Sequence, residues 1–164
     1  MKELYIIRHA KSSWDDDSLS DYDRPLNERG KNDAPLMGKV IRENGFLPDL
    51  IISSSANRAI STAKAIAQEV EFPTDKIVEE RKIYESSTDK VIEIINKIND
   101  QFNRVFIVGH NPTFTHLIEA LGGEYIGHLP TCGLAAIRFE VASWQMITAD
   151  SGTQFYFDFP KRHK

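Results

Sequence analysis

The chain has 164 residues, 41% apolar and 27% charged, with 24 acidic against 20 basic side chains and a net charge of −4. That composition suits one globular domain and excludes a disordered or fibrous chain. Its acidic balance argues against a general nucleic-acid binder, which needs a basic face. The one cysteine, Cys132, excludes an internal disulfide and a cysteine-based zinc site, and it fits the cytoplasm.

Leu4-Tyr5-Ile6-Ile7 is a short apolar run with aromatic and β-branched members, which predicts a buried first strand. Arg8 ends the run before it reaches the length of a signal-peptide core or a membrane span. Residues 1–164 are therefore expected to form one cytoplasmic domain with no membrane partner. A polar loop follows, carrying Trp14 and the acidic triplet Asp15-Asp16-Asp17, and is read as solvated. Asn27 is a helix N-cap, and Met37, Val40 and Ile41 give that helix an apolar face. Pro35 interrupts the pattern and predicts a kink or break there. Asn44-Gly45 ends the helix.

Leu50-Ile51-Ile52 predicts a second buried strand, closing on Ser53-Ser54-Ser55. Ala56, Ile60, Ala63 and Ala67 then share one helical face. Arg58 lies in the first turn of that helix, where a cation opposes the helix dipole; such violations are expected where function overrides stability. Lys76 to Glu79 reads as a short strand. Ser87-Thr88-Asp89 supplies cap candidates for a helix bearing Val91, Ile94, Ile95 and Ile98. Val105-Phe106-Ile107-Val108 is the most apolar strand and ends at Gly109-His110-Asn111. Pro112 suits the first position of the next helix, whose face is Phe114, Leu117, Ile118 and Leu121, and Gly122-Gly123 stops it. Leu134–Val141 and Phe155–Phe159 read as the last two strands. Strands alternating with helices imply a layered α/β domain with a mostly parallel sheet.

Arg8-His9, Arg58 and Gly109-His110-Asn111 each follow directly on a short buried strand. In an open parallel sheet, ligands collect beyond the carboxyl ends of the strands. Two arginines, two imidazoles and a helix N-terminus should therefore meet at one end. A dianionic tetrahedral group is what such a mixture binds: Arg matches phosphate oxygens with a planar fork of donors, and the helix start adds amides and positive potential. Neighbouring guanidiniums disfavour an imidazolium, so His9 stays neutral and nucleophilic. The same cations would spread charge on a transferring phosphoryl group.

The stretch Leu4–Trp14, with Arg8-His9-Ala10-Lys11-Ser12, resembles the Arg-His-Gly motif of the histidine phosphatase (phosphoglycerate mutase-like) superfamily, with Ala10 where most members carry Gly. Its Arg-His-Ala-Lys-Ser form is similar to the SixA-type phosphohistidine phosphatase branch. Asp23-Arg24-Pro25-Leu26-Asn27-Glu28-Arg29-Gly30, Ser53-Ser54-Ser55-Ala56-Asn57-Arg58-Ala59 with Thr62, and Val108-Gly109-His110-Asn111-Pro112 follow in family order. The resemblance implies a three-layer α/β/α sandwich around a mostly parallel sheet. It implies that His9 takes the phosphoryl group, that Arg8, Arg58 and His110 complete the phosphate pocket beside Asn111, and that neither metal nor organic cofactor is needed. Water would then hydrolyse the phosphorylated His9.

Many superfamily members use a carboxylate proton donor after the second helix. Glu85, behind Tyr84, and Asp15, past Trp14, are the candidates. A small chain with the Gly123–Gly133 connection as one of its few lid candidates leaves the site open, which suits a phosphorylated protein side chain, phosphohistidine, as substrate. The alternatives are a phosphomonoesterase for small phosphorylated metabolites and a non-catalytic phosphate-binding module. Cys132 and Arg138 match a bare Cys-x5-Arg spacing, but the residues between them are apolar and strand-like, so a cysteine nucleophile is set aside. His116 and His128 read as core or capping histidines.

Overall fold

The computed structural model describes residues 1–164. Six strands form one sheet in the order β3-β2-β4-β1-β5-β6. They are β1 (Lys2–Arg8), β2 (Leu50–Ser53), β3 (Val78–Glu79), β4 (Arg104–Gly109), β5 (Leu134–Phe139) and β6 (Thr153–Asp158). β1, β2, β3 and β4 run parallel, β5 pairs antiparallel with β1, and β6 pairs antiparallel with β5. Four helices cover the faces: α1 (Glu28–Glu43), α2 (Asn57–Glu69), α3 (Thr88–Asn96) and α4 (Thr113–Gly122). The result is a three-layer α/β/α sandwich.

Strand alternation divides the core. Leu4, Ile6, Val105 and Ile107 pack with Val91 and Ile95 of α3 and with Phe114, Leu117 and Leu121 of α4. Tyr5, Ile7, Phe106 and Val108 point the other way, onto Met37 and Ile41 of α1 and Ala59, Ala63 and Ile66 of α2. β1 and β4 are apolar at successive positions because both their faces are covered. The register pairs Ile7 with Val108 and Arg8 with Gly109, so the strands end side by side. That coincidence of ends brings His9 and His110 together.

Two local devices fix the segment after β1. The Asn27 side chain caps α1 by accepting from Gly30 N–H, while its own N–H donates to the Lys11 carbonyl at 3.0 Å. At Gly30 a Cβ would stand 2.1 Å from the Lys11 carbonyl oxygen, so only glycine permits this approach. Downstream, the Thr62 hydroxyl donates to the Arg58 carbonyl and accepts from Ala10 N–H at 2.9 Å, tying α2 to the same segment.

Several expectations need correction. α1 runs through Pro35 without a break. The proline removes one backbone donor, and the burial of Ala34, Met37 and Ile41 on either side holds the helix. The strand expected over Lys76–Glu79 shrinks to Val78–Glu79, because Thr74–Lys76 forms a 3-10 turn. Pro112 sits at the N-cap, one position before the first residue of α4. His116 and His128 are both exposed rather than core.

Candidate active site

Arg8 and His9 leave β1, Arg58 occupies the first turn of α2, and His110 follows β4 directly. The structure brings all four to the same end of the sheet. The His9 and His110 ring centroids are 5.3 Å apart, and Arg58 Nε lies 3.4 Å from His9 Nε2. Neither sheet neighbour competes for His9: its backbone N–H donates to Gly109 and its carbonyl accepts from Cys132 N–H.

His9 is 8% exposed. Its Nδ1 is 2.7 Å from the Ala10 carbonyl, an acceptor, so Nδ1 carries the proton and Nε2 presents its lone pair. Burial pushes the His9 pKa down to about 3; the Ala10 hydrogen bond opposes that fall, and His110, Arg58 and Arg8 add to it. His110 falls to about 4, through burial first and then the Arg58 charge, with Asp21 pulling the other way. Both imidazoles are therefore neutral at pH 7, and His9 keeps its lone pair free of a proton.

Arg8 donates from NH1 to the Leu129 carbonyl at 3.0 Å and lies 3.4 Å from His128 Nε2, while its Nε is buried without a partner. Nδ1 of His110 is buried and unpartnered as well. Buried polar atoms are normally satisfied, and unpaired ones mark strain or a missing ligand. Here two of them belong to the four residues gathered at this end of the sheet.

A half-open cavity of about 240 Å³ reaches two of the four, Arg58 and His110, and is lined also by Asp21, Tyr84, Glu85 and Asn111; Arg8 and His9 are not part of its lining. A larger cavity, about 570 Å³, runs between β2, β3 and α3 and touches none of the four site residues. Its lining mixes apolar residues with Lys82, Lys90, Lys97, Glu80 and Glu93 but holds no arginine or histidine, so the smaller cavity, which reaches Arg58 and His110, is the relevant one.

Asp21, in the 3-10 turn Asp21–Asp23, was not legible as a site residue. Its Oδ2 accepts from Arg58 NH2 at 3.0 Å and from the Tyr84 hydroxyl at 2.7 Å, and its backbone carbonyl accepts from Arg58 NH1 at 2.6 Å. Its Oδ1 accepts from Nε and NH2 of Arg24. Partial burial raises the Asp21 pKa, but the Tyr84 hydrogen bond and the two guanidiniums outweigh it and hold the carboxyl at about 2. Tyr84 is pushed up to about 12 by burial and by its bond to that carboxylate. Arg24 itself is buried, donates to Ser12 Oγ at 2.7 Å and stacks 3.5 Å from the exposed Trp14 ring.

The remaining expected residues separate. Glu85 lines the cavity in a left-handed conformation, φ 54°. Asp15 lies in the exposed loop and is not part of the cavity lining. Asn111 lines the cavity, but its amide is engaged: Nδ2 donates to Leu129 and Oδ1 accepts from Thr115. Cys132 is buried, and burial raises its thiol pKa far above the usual value; Arg138 points away into an ion pair with Glu3. No cluster of three or more His, Cys, Asp or Glu side chains is placed to hold a metal ion.

The class defined here is an α/β protein with two neutral histidines and two arginines at the carboxyl end of its parallel strands. A family model described as histidine phosphatase superfamily (branch 1) matches residues 4–104. The chain belongs to the histidine phosphatase superfamily. It is 32% identical over 159 residues to an uncharacterised chloroplastic protein of Arabidopsis thaliana, covering 92% of this chain and 72% of that one. Its structure is similar to that of a protein assigned as phosphohistidine phosphatase SixA from Agrobacterium tumefaciens, with TM-score 0.82, 28% identity, and 97% and 98% of the two chains covered. At 14% identity, a mycobacterial glucosyl-3-phosphoglycerate phosphatase in complex with vanadate shares the fold, with TM-score 0.68 over 96% of this chain and 98% of that one.

Proposed function

We propose that the chain is a phosphatase that works through a phosphorylated His9. The observation that carries this reading is the pairing of the His9 Nε2 lone pair with the Arg58 Nε–H 3.4 Å away, at the end of the sheet where Arg8 Nε and His110 Nδ1 are buried without partners. In the first half of the reaction Nε2 attacks phosphorus and the bond to the leaving group breaks. Arg8, Arg58 and His110 hold the phosphoryl oxygens as charge develops on them. The Ala10 carbonyl keeps the other imidazole proton and steadies the cationic ring that forms. In the second half water attacks the same phosphorus, the P–N bond breaks, and its electron pair returns to Nε2. Two carboxylates line the cavity: Asp21 is held ionised by its guanidinium partners, which leaves Glu85 as the candidate to protonate a poor leaving group, whereas Asp15 lies outside the lining.

The substrate class with the broader support is a small phosphorylated molecule. The cavity of about 240 Å³ beside Arg58 and His110 has room for a modest leaving group. A protein phosphohistidine is the second reading. It is supported by the likeness to the Agrobacterium protein assigned as a phosphohistidine phosphatase, and by the half-open mouth.

The test is hydrolysis of an aryl phosphate in EDTA. The wild-type protein is expected to turn over, and His9→Ala to lose at least about a thousandfold while still folding. Equal activity in the variant would refute the nucleophile. Phosphate binding with no turnover in the wild type would favour a binding module. A panel of sugar phosphates, phosphoserine and phosphohistidine protein then separates the two substrate readings.

A further inference from the structure

We propose that Ser54 is a positioning residue that fixes the tautomer of His110, so that the ring offers a bound phosphoryl group an N–H and not a lone pair. Ser54 follows β2 and is fully buried. Its Oγ accepts from Ala56 N–H at 3.2 Å and lies 2.7 Å from His110 Nε2. A serine hydroxyl has one proton to give. With the oxygen already accepting from Ala56, the partner that the structure provides for that proton is His110 Nε2. A proton on Nε2 instead would fill the second lone pair of Oγ and leave the buried hydroxyl proton with no acceptor. Nε2 therefore accepts, and the proton of the neutral ring sits on Nδ1.

That atom is the buried, unpartnered nitrogen of His110. As a donor it suits an anionic oxygen; as a lone pair it would repel one. The two histidines then play opposite parts through their outer partners. The Ala10 carbonyl takes the Nδ1 proton of His9 and exposes a lone pair, whereas the Ser54 hydroxyl caps Nε2 of His110 and leaves a donor. Ser54 acts through the His110 ring, the side chain that its Oγ contacts. The inference rests on the phosphatase reading for its purpose, but the tautomer is a property of the free protein.

The test is a long-range proton–nitrogen correlation spectrum of histidine-labelled protein at pH 7, with orthophosphate affinity measured in parallel. Wild-type His110 is expected to carry its proton on Nδ1. Ser54→Ala should shift the ring towards the Nε2-protonated form and weaken orthophosphate about tenfold, and Ser54→Thr should restore both. An Nε2 proton in the wild type would overturn the proposal, as would an unchanged spectrum and affinity in Ser54→Ala. An Nδ1 proton in a wild type that binds no orthophosphate would support the Ser54 assignment and overturn the phosphatase reading instead.

Discussion

Lowering the pH from 7 to 5 is expected to cost the fold about 4 kcal/mol through His9 and His110 alone. Burial sets their folded pKa values at about 3 and about 4, below the ordinary value of 6.5. Between those limits the unfolded chain takes up protons that the folded protein refuses. The stabilisation is thus full above the ordinary value and drains away as the pH falls towards the folded values. At pH 5 an unfolded histidine is about thirtyfold more often charged than neutral, which is worth about 2 kcal/mol per residue. The figure does not depend on whether the folded pKa is 3 or 4, because both rings are largely neutral at pH 5 in either case. Glu3, Asp21 and Asp158, whose pKa values are lowered, give up their stabilisation only below their ordinary range, outside this window. Urea unfolding at pH 7, 6 and 5 measures the slope. His9→Gln and His110→Gln should each remove about half of the pH dependence. An unchanged slope in both variants would refute the claim that these rings are held neutral. His9, the proposed nucleophile, stays unprotonated across the range, so the acid limb of kcat/KM should track the second ionisation of the substrate phosphate, near pH 6, and not His9.

Other outcomes follow from single contacts. Asp21→Asn should bring the Tyr84 phenol down from about 12 towards its ordinary value, seen by ultraviolet phenolate titration, because it removes the charge that Tyr84 donates to. The Asp21 side chain is 49% exposed, so the accompanying stability loss should stay near 1 kcal/mol. Gly30→Ala should destabilise by about 2 kcal/mol or more and depress turnover as well, since its Cβ would press on Lys11, two residues after His9. Glu85→Gln should cut turnover of alkyl phosphates by about a hundredfold and spare aryl phosphates, whose leaving group needs no proton; equal losses on both would remove Glu85 as the donor.

How much of this was legible depends on where each side chain is anchored. Arg8, His9, Arg58 and His110 all stand within a few residues of an apolar strand. The strands are visible as apolar runs, and parallel pairing forces their ends together. The layered fold and the meeting of these four residues are thus consequences of hydrophobic patterning. The continuous α1 was not legible because Pro35 weighs heavily in local terms, while the burial of its neighbours is a property of the packed molecule.

Asp21 and Tyr84 carry no such pattern. They reach the cavity from a 3-10 turn and a loop, 63 residues apart, and meet through a hydrogen bond of 2.7 Å. Ser54 is hidden differently: it sits in a run of three serines, and only the distance to His110 tells it from Ser53, whose hydroxyl bonds the neighbouring carbonyl. A strand end constrains the direction of the chain but not the hydrogen-bond partner of a hydroxyl. The two arginines and two histidines of the site are therefore placed by secondary structure. Those that set their protonation and orientation are placed by tertiary contacts, and substitutions there should change pKa values and tautomers before they change the fold.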